Sequence, residues 1–209
     1  PLLRELVGKA DLDSVPLERF GEIAAGPLDE AVRINNDLEN LPRLEQWDGV
    51  GRQVGGFAHH PAYHEAGKLI YGSGVMAAYR QVPNPHRFAL SLFYLSSHVG
   101  EGGHNCPLAC TAGAIRAIQS LGTEEQKSTW LPRLLDPVYE GHASAAQFLT
   151  EVQGGSDVGA NDCEAHLRDD GSYAIRGEKW FCSSADADVF LLTARPAGSD
   201  SGTKGLGLF

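Results

Sequence analysis

A polar loop with two adjacent glycines follows an apolar run that ends near Phe148. Gly154 and Gly155 permit backbone conformations and close approaches that a side chain would block, so neighbouring N–H groups can converge on an anion such as a pyrophosphate. Thr150 and Ser156 place hydroxyl groups beside those amides. For the Gly-Gly-Ser-Asp tetrapeptide alone, a polar turn after a strand is the alternative interpretation.

Three segments carry a family resemblance that favours the anion site over the simple turn. Residues 148–157, Phe-x-Thr-Glu-x-x-Gly-Gly-Ser-Asp, resemble the flavin loop of the acyl-CoA dehydrogenases, and the Gln-Gly-Gly-Ser-Asp-Val form is most similar to their AidB-like branch. Residues 177–195 resemble the family's Gly-x-Lys-x-aromatic-x-Ser/Thr segment and the apolar strand after it. Residues 60–64, His-Pro-Ala-Tyr-His, resemble a His-Pro-Ala-Trp-His segment of the AidB-like proteins.

The first segment implies residues that would bind FAD. By resemblance, Thr150 would hydrogen-bond the pyrimidine side of the flavin ring, and the backbone of Leu149 would lie along that ring. Gly155 and Ser156 would meet the pyrophosphate. The resemblance implies a structural role for Glu151, pairing or capping near the loop, rather than a catalytic one.

The second segment implies two further contacts with the flavin. Phe181 occupies the position at which many members place a ring-stacking tryptophan, since Trp180 comes one residue early relative to Lys179. Ser183 matches the hydroxyl residue that approaches the hydride-accepting nitrogen, where its hydrogen bond would favour the reduced ring. Trp180 itself is expected to pack in the core beneath the sheet.

The implied activity is that of an FAD-dependent oxidoreductase, which forms an α,β-double bond in an acyl-CoA thioester by proton removal and hydride transfer. In most members the base is a glutamate of a C-terminal helical bundle, so no residue of this chain is expected to be catalytic. The alternative is an AidB-like flavoprotein with a protective or scaffold role. A third interpretation is a stand-alone helical interaction protein that has lost its enzyme partner domain.

The composition of the chain argues against some classes of binding partner and indicates a cellular compartment. The net charge of −10 argues against a nucleic-acid partner for this region, because phosphate binding needs clustered Lys and Arg. Four cysteines, no signal peptide and no long apolar run predict a cytoplasmic protein with free thiols and no membrane partner. The resemblance implies a homo-oligomer, since a neighbouring subunit builds part of the family's FAD site.

Two spacings could suggest a metal site, but no metal is expected. Cys106 and Cys110 share a helix face, and we interpret them as part of a small apolar face. His60 and His64 share another, and His59 lies beside them. No carboxylate or cysteine accompanies these histidines in the pattern of a zinc site. They are interpreted as surface or capping groups, or as part of an interface or of the substrate side of a cleft.

The predicted fold class is α+β, a truncated acyl-CoA dehydrogenase fold. Residues 1–142 are predicted to form an all-helical N-terminal domain, because they show helix-like apolar spacing between breaks such as Asp13 and Ser14. Residues 143–209 are predicted to form the first strands of an antiparallel β domain that carries the flavin motifs. The chain stops on an apolar run at 204–209, which predicts a strand entering a sheet that would continue further.

Several helices are predicted from local signals. Leu17, Phe20, Ile23 and Ala24 form one helix face. Pro61 suits the first turn of a helix predicted to extend through Ala77. Residues 88–95 are apolar on nearly all sides, which predicts a central helix buried against others. A further helix is predicted at 107–121, and Thr123 is predicted to cap the one after it.

Overall fold

The computed structural model describes residue 5 and residues 15–80 and 85–209 of the chain. The chain divides into two compact units, residues 1–143 and residues 144–209. The α+β class predicted from the sequence is confirmed. The predicted break at Asp13 and Ser14 lies outside the described residues.

The first unit is mainly helical over its described residues. Its α-helices are α1 (Val15–Ile23), α2 (Asp29–Asn35), α3 (Pro61–Gly72), α4 (Pro85–His98), α5 (Asn105–Leu121) and α6 (Glu124–Leu134). Short 3-10 turns occur at Leu38–Asn40, Ala77–Arg80 and Tyr139–Gly141, and a π turn at Ala24–Leu28 follows α1.

The helix ends follow the local signals in the sequence. Thr123 Oγ1 accepts a hydrogen bond from the Gln126 amide at 3.2 Å, and the Gln126 side chain accepts one from the Thr123 amide at 2.9 Å, which confirms the predicted cap. Helix α3 begins at Pro61 as predicted, but its predicted continuation to Ala77 is wrong. It ends at Gly72 because Gly74 adopts the left-handed conformation, at φ 82°, that turns the chain away.

A β-hairpin in the first unit corrects the prediction of an all-helical domain. Strand β1 (Arg43–Trp47) pairs antiparallel with β2 (Gln53–Ala58). The connecting turn is held by Asp48, whose Oδ1 accepts from the amides of Val50 at 2.9 Å and Arg52 at 2.8 Å. Sequence reasoning missed the hairpin because the glycines of β2 interrupt the alternation that identifies a strand.

Helix α4 is buried on one face only, so the prediction of a central helix buried against others is wrong. Its buried residues, Pro85, Ala89, Leu92 and Ser96, recur every three or four positions. Leu90 and Tyr94 on the same helix are 59% and 53% exposed. Some of the apolar surface of α4 is therefore left uncovered by the described residues.

The core of the first unit contains a cluster of aromatic rings around His104. This ring cluster consists of His59, Tyr63, His64, Tyr71, His104, Tyr139 and His142. Tyr63 stacks between His59 and His104 with ring centroids 4.0 Å apart on each side. The cluster gives His59 and His64 packing roles, and His64 Nδ1 lies 3.1 Å from the Tyr139 hydroxyl. His60 instead caps α3, where its Nδ1 accepts from the Ala62 amide at 3.1 Å.

A buried carboxylate anchors the start of α5 beside this cluster. Glu101 accepts hydrogen bonds from the amides of His104 at 2.7 Å and Asn105 at 2.8 Å. The Asn105 side chain bonds the Glu101 carbonyl oxygen at 2.9 Å and accepts from the Ser96 hydroxyl at 2.9 Å. Glu101 thus satisfies amides at the helix start that have no partner within the helix.

The second unit is a mixed sheet, which corrects the prediction of an antiparallel one. Its strands are β3 (Ala145–Phe148), β4 (Glu164–Leu167), β5 (Tyr173–Arg176), β6 (Val189–Pro196) and β7 (Gly207–Leu208), in the order β3-β6-β4-β5 with β7 also paired to β6. Strand β6 runs parallel to β3 and β4, whereas the β4–β5 and β6–β7 pairs are antiparallel. Parallel neighbours need a long connection, and the residues between β3 and β6 supply it.

Two predicted local features are confirmed in this sheet. The β4–β5 turn closes with the Arg168 amide donating to the Ser172 carbonyl at 2.8 Å, and Gly171 takes φ 81°. The apolar end of the chain enters the sheet, where Phe209 and Leu192 exchange two backbone hydrogen bonds of 2.8 Å.

Candidate functional site

A tight turn begins two residues after β3 and shapes the glycine loop, residues 150–157. Glu151 and Gly154 form an isolated antiparallel bridge, with the amide of each residue donating to the carbonyl of the other at 3.2 and 3.0 Å. Gly154 has φ 147°, a conformation that L side chains rarely adopt. The bridge fixes the point at which the chain leaves the sheet and turns into Gly155 and Ser156.

The Glu151 carboxylate is the centre of the hydrogen bonds beneath this loop. It is 3% exposed and lies 2.7 Å from Lys179 Nζ, which is itself 8% exposed on its side chain. The amides of Asp162 and Cys163 donate to it at 2.6 and 3.2 Å, and Gln153 Nε2 donates at 3.1 Å. Glu151 therefore joins three separate stretches of chain.

These contacts decide the protonation of Glu151. Burial by itself raises the pKa of the carboxyl, but the bonds from Lys179, Cys163, Gln153 and the Asp162 amide outweigh it and lower the pKa to about 2. Burial, together with the adjacent Glu151, raises the pKa of the Cys163 thiol to about 11. Glu151 is thus a carboxylate at neutral pH, and Cys163 is a thiol.

Lys179 extends the same network to the neighbouring strand. Its Nζ also lies 3.3 Å from the Leu149 carbonyl oxygen and 3.3 Å from Thr193 Oγ1. Asn161 Nδ2 donates to the same two oxygens at 2.9 and 3.0 Å. Sequence reasoning assigned no role to Lys179, Asn161 or Thr193, although the fixed Lys of the Gly-x-Lys pattern was a usable signal for the first.

One backbone hydrogen bond brings the two predicted flavin segments together. The Trp180 amide donates to the Thr150 carbonyl oxygen at 2.9 Å. The residue before Trp180 is Lys179, which forms the ion pair with Glu151. Together, the ion pair and this hydrogen bond fix Thr150 beside the start of residues 180–183. The chain therefore presents Leu149 and Thr150 alongside Phe181 and Ser183.

Gly155 is in close contact with Thr150. A Cβ added at Gly155 would lie 2.7 Å from Thr150 Oγ1 and 3.1 Å from its Cγ2, so a side chain there would displace the threonine. Within the described part of the chain, the amides of Gly155 and Ser156 have no hydrogen-bond acceptor, and both residues are exposed. Two adjacent exposed N–H groups beside two hydroxyls suit a pyrophosphate oxygen.

Phe181 and its neighbours are held outward by an uncommon backbone. Phe181 and Ser184 have φ of 56° and 55°, in the left-handed region that costs about 1–2 kcal/mol for an L residue. Phe181 is 80% exposed and Ser183 is also exposed. The expectation that Trp180 packs in the core is wrong, because half of its surface is exposed and it contacts the Phe181 ring edge to face at 5.9 Å.

The six residues predicted to bind FAD therefore lie on one surface region of the second unit, each at least partly exposed. Isoalloxazine stacking needs an uncovered aromatic face, and pyrophosphate binding needs uncommitted amides. Phe181 supplies the first and Gly155 with Ser156 the second. The residues present fit the group that the sequence resemblance implies.

Among the described residues, 5, 15–80 and 85–209, no group of three or more His, Cys, Asp and Glu side chains is placed to hold a metal ion. No helix of these ranges has the length and hydropathy needed to cross a membrane. Cys106 is exposed rather than part of a buried helix face, which corrects the apolar-face interpretation of this residue.

Comparison with known protein families gives two matches in succession. Residues 2–141 match the adaptive response protein AidB N-terminal domain. Residues 146–209 match the acyl-CoA dehydrogenase middle domain.

Individual proteins agree with these matches. The chain is 31% identical to acyl-CoA dehydrogenase family member 11 of Caenorhabditis elegans over 93% of its own length, and 31% identical to the putative acyl-CoA dehydrogenase AidB of Escherichia coli over 76%. It spans only 35% and 31% of those two proteins, about a third of their length.

Solved structures show the same fold. The C. elegans ACDH-11 complex with C11-CoA superposes with a TM-score of 0.82 and 28% identity, covering 93% of this chain and 34% of that one. An acyl-CoA dehydrogenase of Bacillus anthracis complexed with FAD shares the fold, with a TM-score of 0.60 and 22% identity over 90% of this chain and 30% of that one.

Proposed function

Because this chain belongs to the acyl-CoA dehydrogenase family, with an AidB N-terminal domain followed by middle-domain sequence, we propose that it carries the FAD-binding part of an acyl-CoA dehydrogenase. The observation that carries the proposal is the joining of the two flavin segments by the Thr150–Trp180 hydrogen bond and the buried Glu151–Lys179 pair. The reaction proposed for the whole protein is α,β-dehydrogenation of an acyl-CoA thioester.

The glycine loop would bind two polar parts of the cofactor, the pyrimidine side of the flavin ring and the pyrophosphate. Thr150 Oγ1 would hydrogen-bond the pyrimidine side of the flavin, with the Leu149 backbone along the ring. The amides and hydroxyl of Gly155 and Ser156 would hydrogen-bond the pyrophosphate. The tight contact between Gly155 and Thr150 supports this division, because it sets the separation between the ring site and the phosphate site.

The second segment would position the ring for chemistry. FAD, when bound, supplies the acceptor for the hydride that leaves the substrate β-carbon. Phe181 would stack on the ring and exclude water from one of its faces, and the Ser183 hydroxyl would donate a hydrogen bond that favours the reduced form. The exposure of Phe181 and the constrained backbone that holds it outward support these roles.

The proposal assigns no catalytic base to residues 1–209. Glu151 is unsuitable, because its pKa of about 2 makes it a very weak proton acceptor and Lys179 occupies its oxygen. An acyl-CoA is the proposed substrate class, supported by the C11-CoA complex of the C. elegans relative. A homo-oligomer is the proposed assembly, as the family resemblance implies.

The test is FAD binding by the purified chain and two matched variants. Titration followed by flavin absorbance near ~450 nm should show a bound flavin. Thr150→Val keeps the shape but removes the hydroxyl, so the dissociation constant should rise about fivefold, the value of one hydrogen bond of about 1 kcal/mol. Thr150→Ser keeps the hydroxyl and should bind nearly as well as the wild type.

Equal FAD affinity in the wild type and Thr150→Val would remove Thr150 from the site. Failure of both this chain and a longer protein containing it to bind FAD would overturn the proposal as a whole. Both measurements need a check by circular dichroism that the variants fold like the wild type.

The match of residues 2–141 to the AidB N-terminal domain favours a second candidate, a flavoprotein with a protective or scaffold role. The two candidates differ in the response of the bound flavin to substrate. In a longer protein that contains these residues, loss of the ~450 nm absorbance on adding acyl-CoAs would indicate a dehydrogenase. A bound flavin that no acyl-CoA reduces would indicate the second candidate.

A further inference from the structure

The β1–β2 hairpin of the helical unit is almost entirely uncovered by the rest of the described chain. All five residues of β1 are exposed, and so are most of those in β2. The exposed apolar side chains include Leu44 at 54%, Trp47 at 60% and Phe57 at 43%. An isolated two-stranded hairpin is marginally stable in water, so this one would gain stability from a further strand.

The free edge of β1 is the better of the two edges for such an addition. Between the pairs Glu45–Gly56 and Trp47–Gln53, β2 contains one residue more than β1, so the bulge lies in β2. Gly55 within that bulge has φ 60°, which bends the outer edge of β2. Strand β1 has no such irregularity, and no strand in the described ranges pairs with its outer edge.

The charges of β1 are complementary between two antiparallel copies of this strand in one register. When two antiparallel copies of β1 are aligned about Leu44, Arg43 of each copy lies opposite Glu45 of the other, and the two leucines face each other. Alignment about Glu45 would instead oppose the two glutamates, and directly opposed like charges destabilise a strand pair. We infer that β1 pairs with β1 of a second copy of this chain in the Leu44-centred register, forming a four-stranded sheet across a twofold axis.

The same register extends the apolar surface of the hairpin across the axis. Leu44 pairs directly with Phe57 within one copy, so their side chains are on the same face. The interface therefore creates a row of Phe57, Leu44 and the same two residues of the second copy. Arg43 and Glu45 alternate with Leu44 and lie on the opposite face, where their two ion pairs flank the axis.

The local charge balance permits this contact between two acidic chains. The hairpin carries two arginines, Arg43 and Arg52, and two acidic residues, Glu45 and Asp48. It is therefore neutral, although each chain has a net charge of −10. This contact would form whether or not the chain binds FAD.

Sedimentation equilibrium of the 209-residue chain and its charge-exchange variants tests the interface. The wild type should reach the mass of a dimer at micromolar concentrations. Arg43→Glu places four glutamates around the axis and Glu45→Arg places four arginines there, so each variant should weaken self-association about tenfold or more. The double variant Arg43→Glu/Glu45→Arg restores opposite charges and should recover the dimer.

Mixing the two single variants gives the most specific result. In a heterodimer of Arg43→Glu with Glu45→Arg, each opposed pair again carries opposite charges, so the mixture should dimerise about tenfold or more tightly than either variant alone. Lys127→Glu, a charge change on α6 outside the hairpin, should leave the mass unchanged. A monomeric wild type, or a dimer whose mass neither single variant alters, would overturn the proposal, and some other partner would then have to cover the hairpin.

Discussion

Glu151 in the sheet unit and His104 in the helical unit are both almost fully buried, at 3% and 2% exposure. Glu151 keeps its charge, because Lys179 and two backbone amides bond the carboxylate. His104 stacks on Tyr63, and its Nε2 lies 2.8 Å from the Tyr63 carbonyl oxygen. Burial lowers its pKa to about 4, so the ring is neutral at pH 7.

The difference shows two ways of burying an ionisable group. A charge that is paired and fully hydrogen-bonded can connect distant stretches of chain, and Glu151 connects those that hold the flavin segments. A neutral ring needs only a complementary shape and one or two polar partners, and His104 fills the space among the rings of Tyr63, Tyr71 and Tyr139. The sheet unit is therefore expected to be sensitive to loss of charge, and the helical unit to gain of charge or volume.

The largest expected effect is the loss of Lys179. Lys179→Met leaves the Glu151 carboxylate buried without its cation, which should lower the free energy of unfolding of the sheet unit by about 3–5 kcal/mol. Chemical denaturation in a Trp47→Phe/Trp130→Phe background, where Trp180 is the remaining tryptophan, measures this free energy through its fluorescence.

Two controls isolate the ion pair. Lys127→Met removes an exposed pair with Glu124 and should cost no more than about 1 kcal/mol. The double variant Glu151→Gln/Lys179→Met removes both charges and should be more stable than Lys179→Met. A single variant as stable as the wild type would show that Glu151 does not depend on Lys179.

The next largest effect is that acid should destabilise the helical unit at a higher pH than the sheet unit. The pKa of His104 is depressed from 6.5 to about 4 on folding, so the contribution of His104 to the free energy of unfolding is present above pH 6.5 and is lost as the pH falls towards 4. The pKa of Glu151 is depressed from 4.5 to about 2 on folding, so the contribution of Glu151 to the free energy of unfolding persists until the pH falls below 4.5. Each loss is on the order of 3 kcal/mol, at 1.36 kcal/mol per pH unit.

Hydrogen exchange at pH 7 and pH 5 measures this separation by region. Protection should fall in α5 while β3 and β6 keep theirs. Burial raises the pKa of Glu101, which favours acid and opposes part of the His104 effect. His104→Gln should remove most of the pH dependence between 6.5 and 4, and an unchanged pH profile in that variant would contradict the assignment.

Overpacking the ring cluster should have a smaller effect. A Cβ at Gly67 on α3 would collide with the Tyr139 ring and lie 2.9 Å from His104 Cε1. Gly67→Ala should therefore destabilise the helical unit by about 1–3 kcal/mol. Gly72→Ala on the same helix meets nothing within 4 Å and should be neutral or stabilising. Thermal unfolding of the two variants compares them, and equal melting temperatures would refute tight packing at Gly67.

The smallest expected effect is at Phe181. Phe181→Gly relieves a left-handed backbone at an exposed ring, so the free energy of unfolding should rise by about 0.5–1 kcal/mol while FAD affinity falls. Urea denaturation and flavin titration of the same preparation check both parts. A variant that lost stability would mean that the ring packs against the sheet unit rather than serving a ligand.

The elements predicted best are those with local causes. The Thr123 cap, the start of α3 at Pro61 and the Asp-Gly turn at 170–171 each depend on a few adjacent residues, and each is confirmed. The β1–β2 hairpin was missed because its strands are exposed and two glycines interrupt the pattern of β2. The parallel pairing of β3 with β6 was missed because it joins residues about forty positions apart, which no local pattern records.

The sequence by itself determined the family, the α+β class and the two segments proposed to bind FAD, because motif spacing and turn chemistry are properties of neighbouring residues. Only the tertiary structure decided which residues hold those two segments in place. Glu151, Asn161, Lys179 and Thr193 come from four separate stretches, and their shared hydrogen bonds exist only once β6 lies beside β3. The tertiary structure likewise buried His104 among aromatic rings and left β1 with an edge that no strand of the described residues pairs with. Burial depends on which distant residues the fold brings into contact.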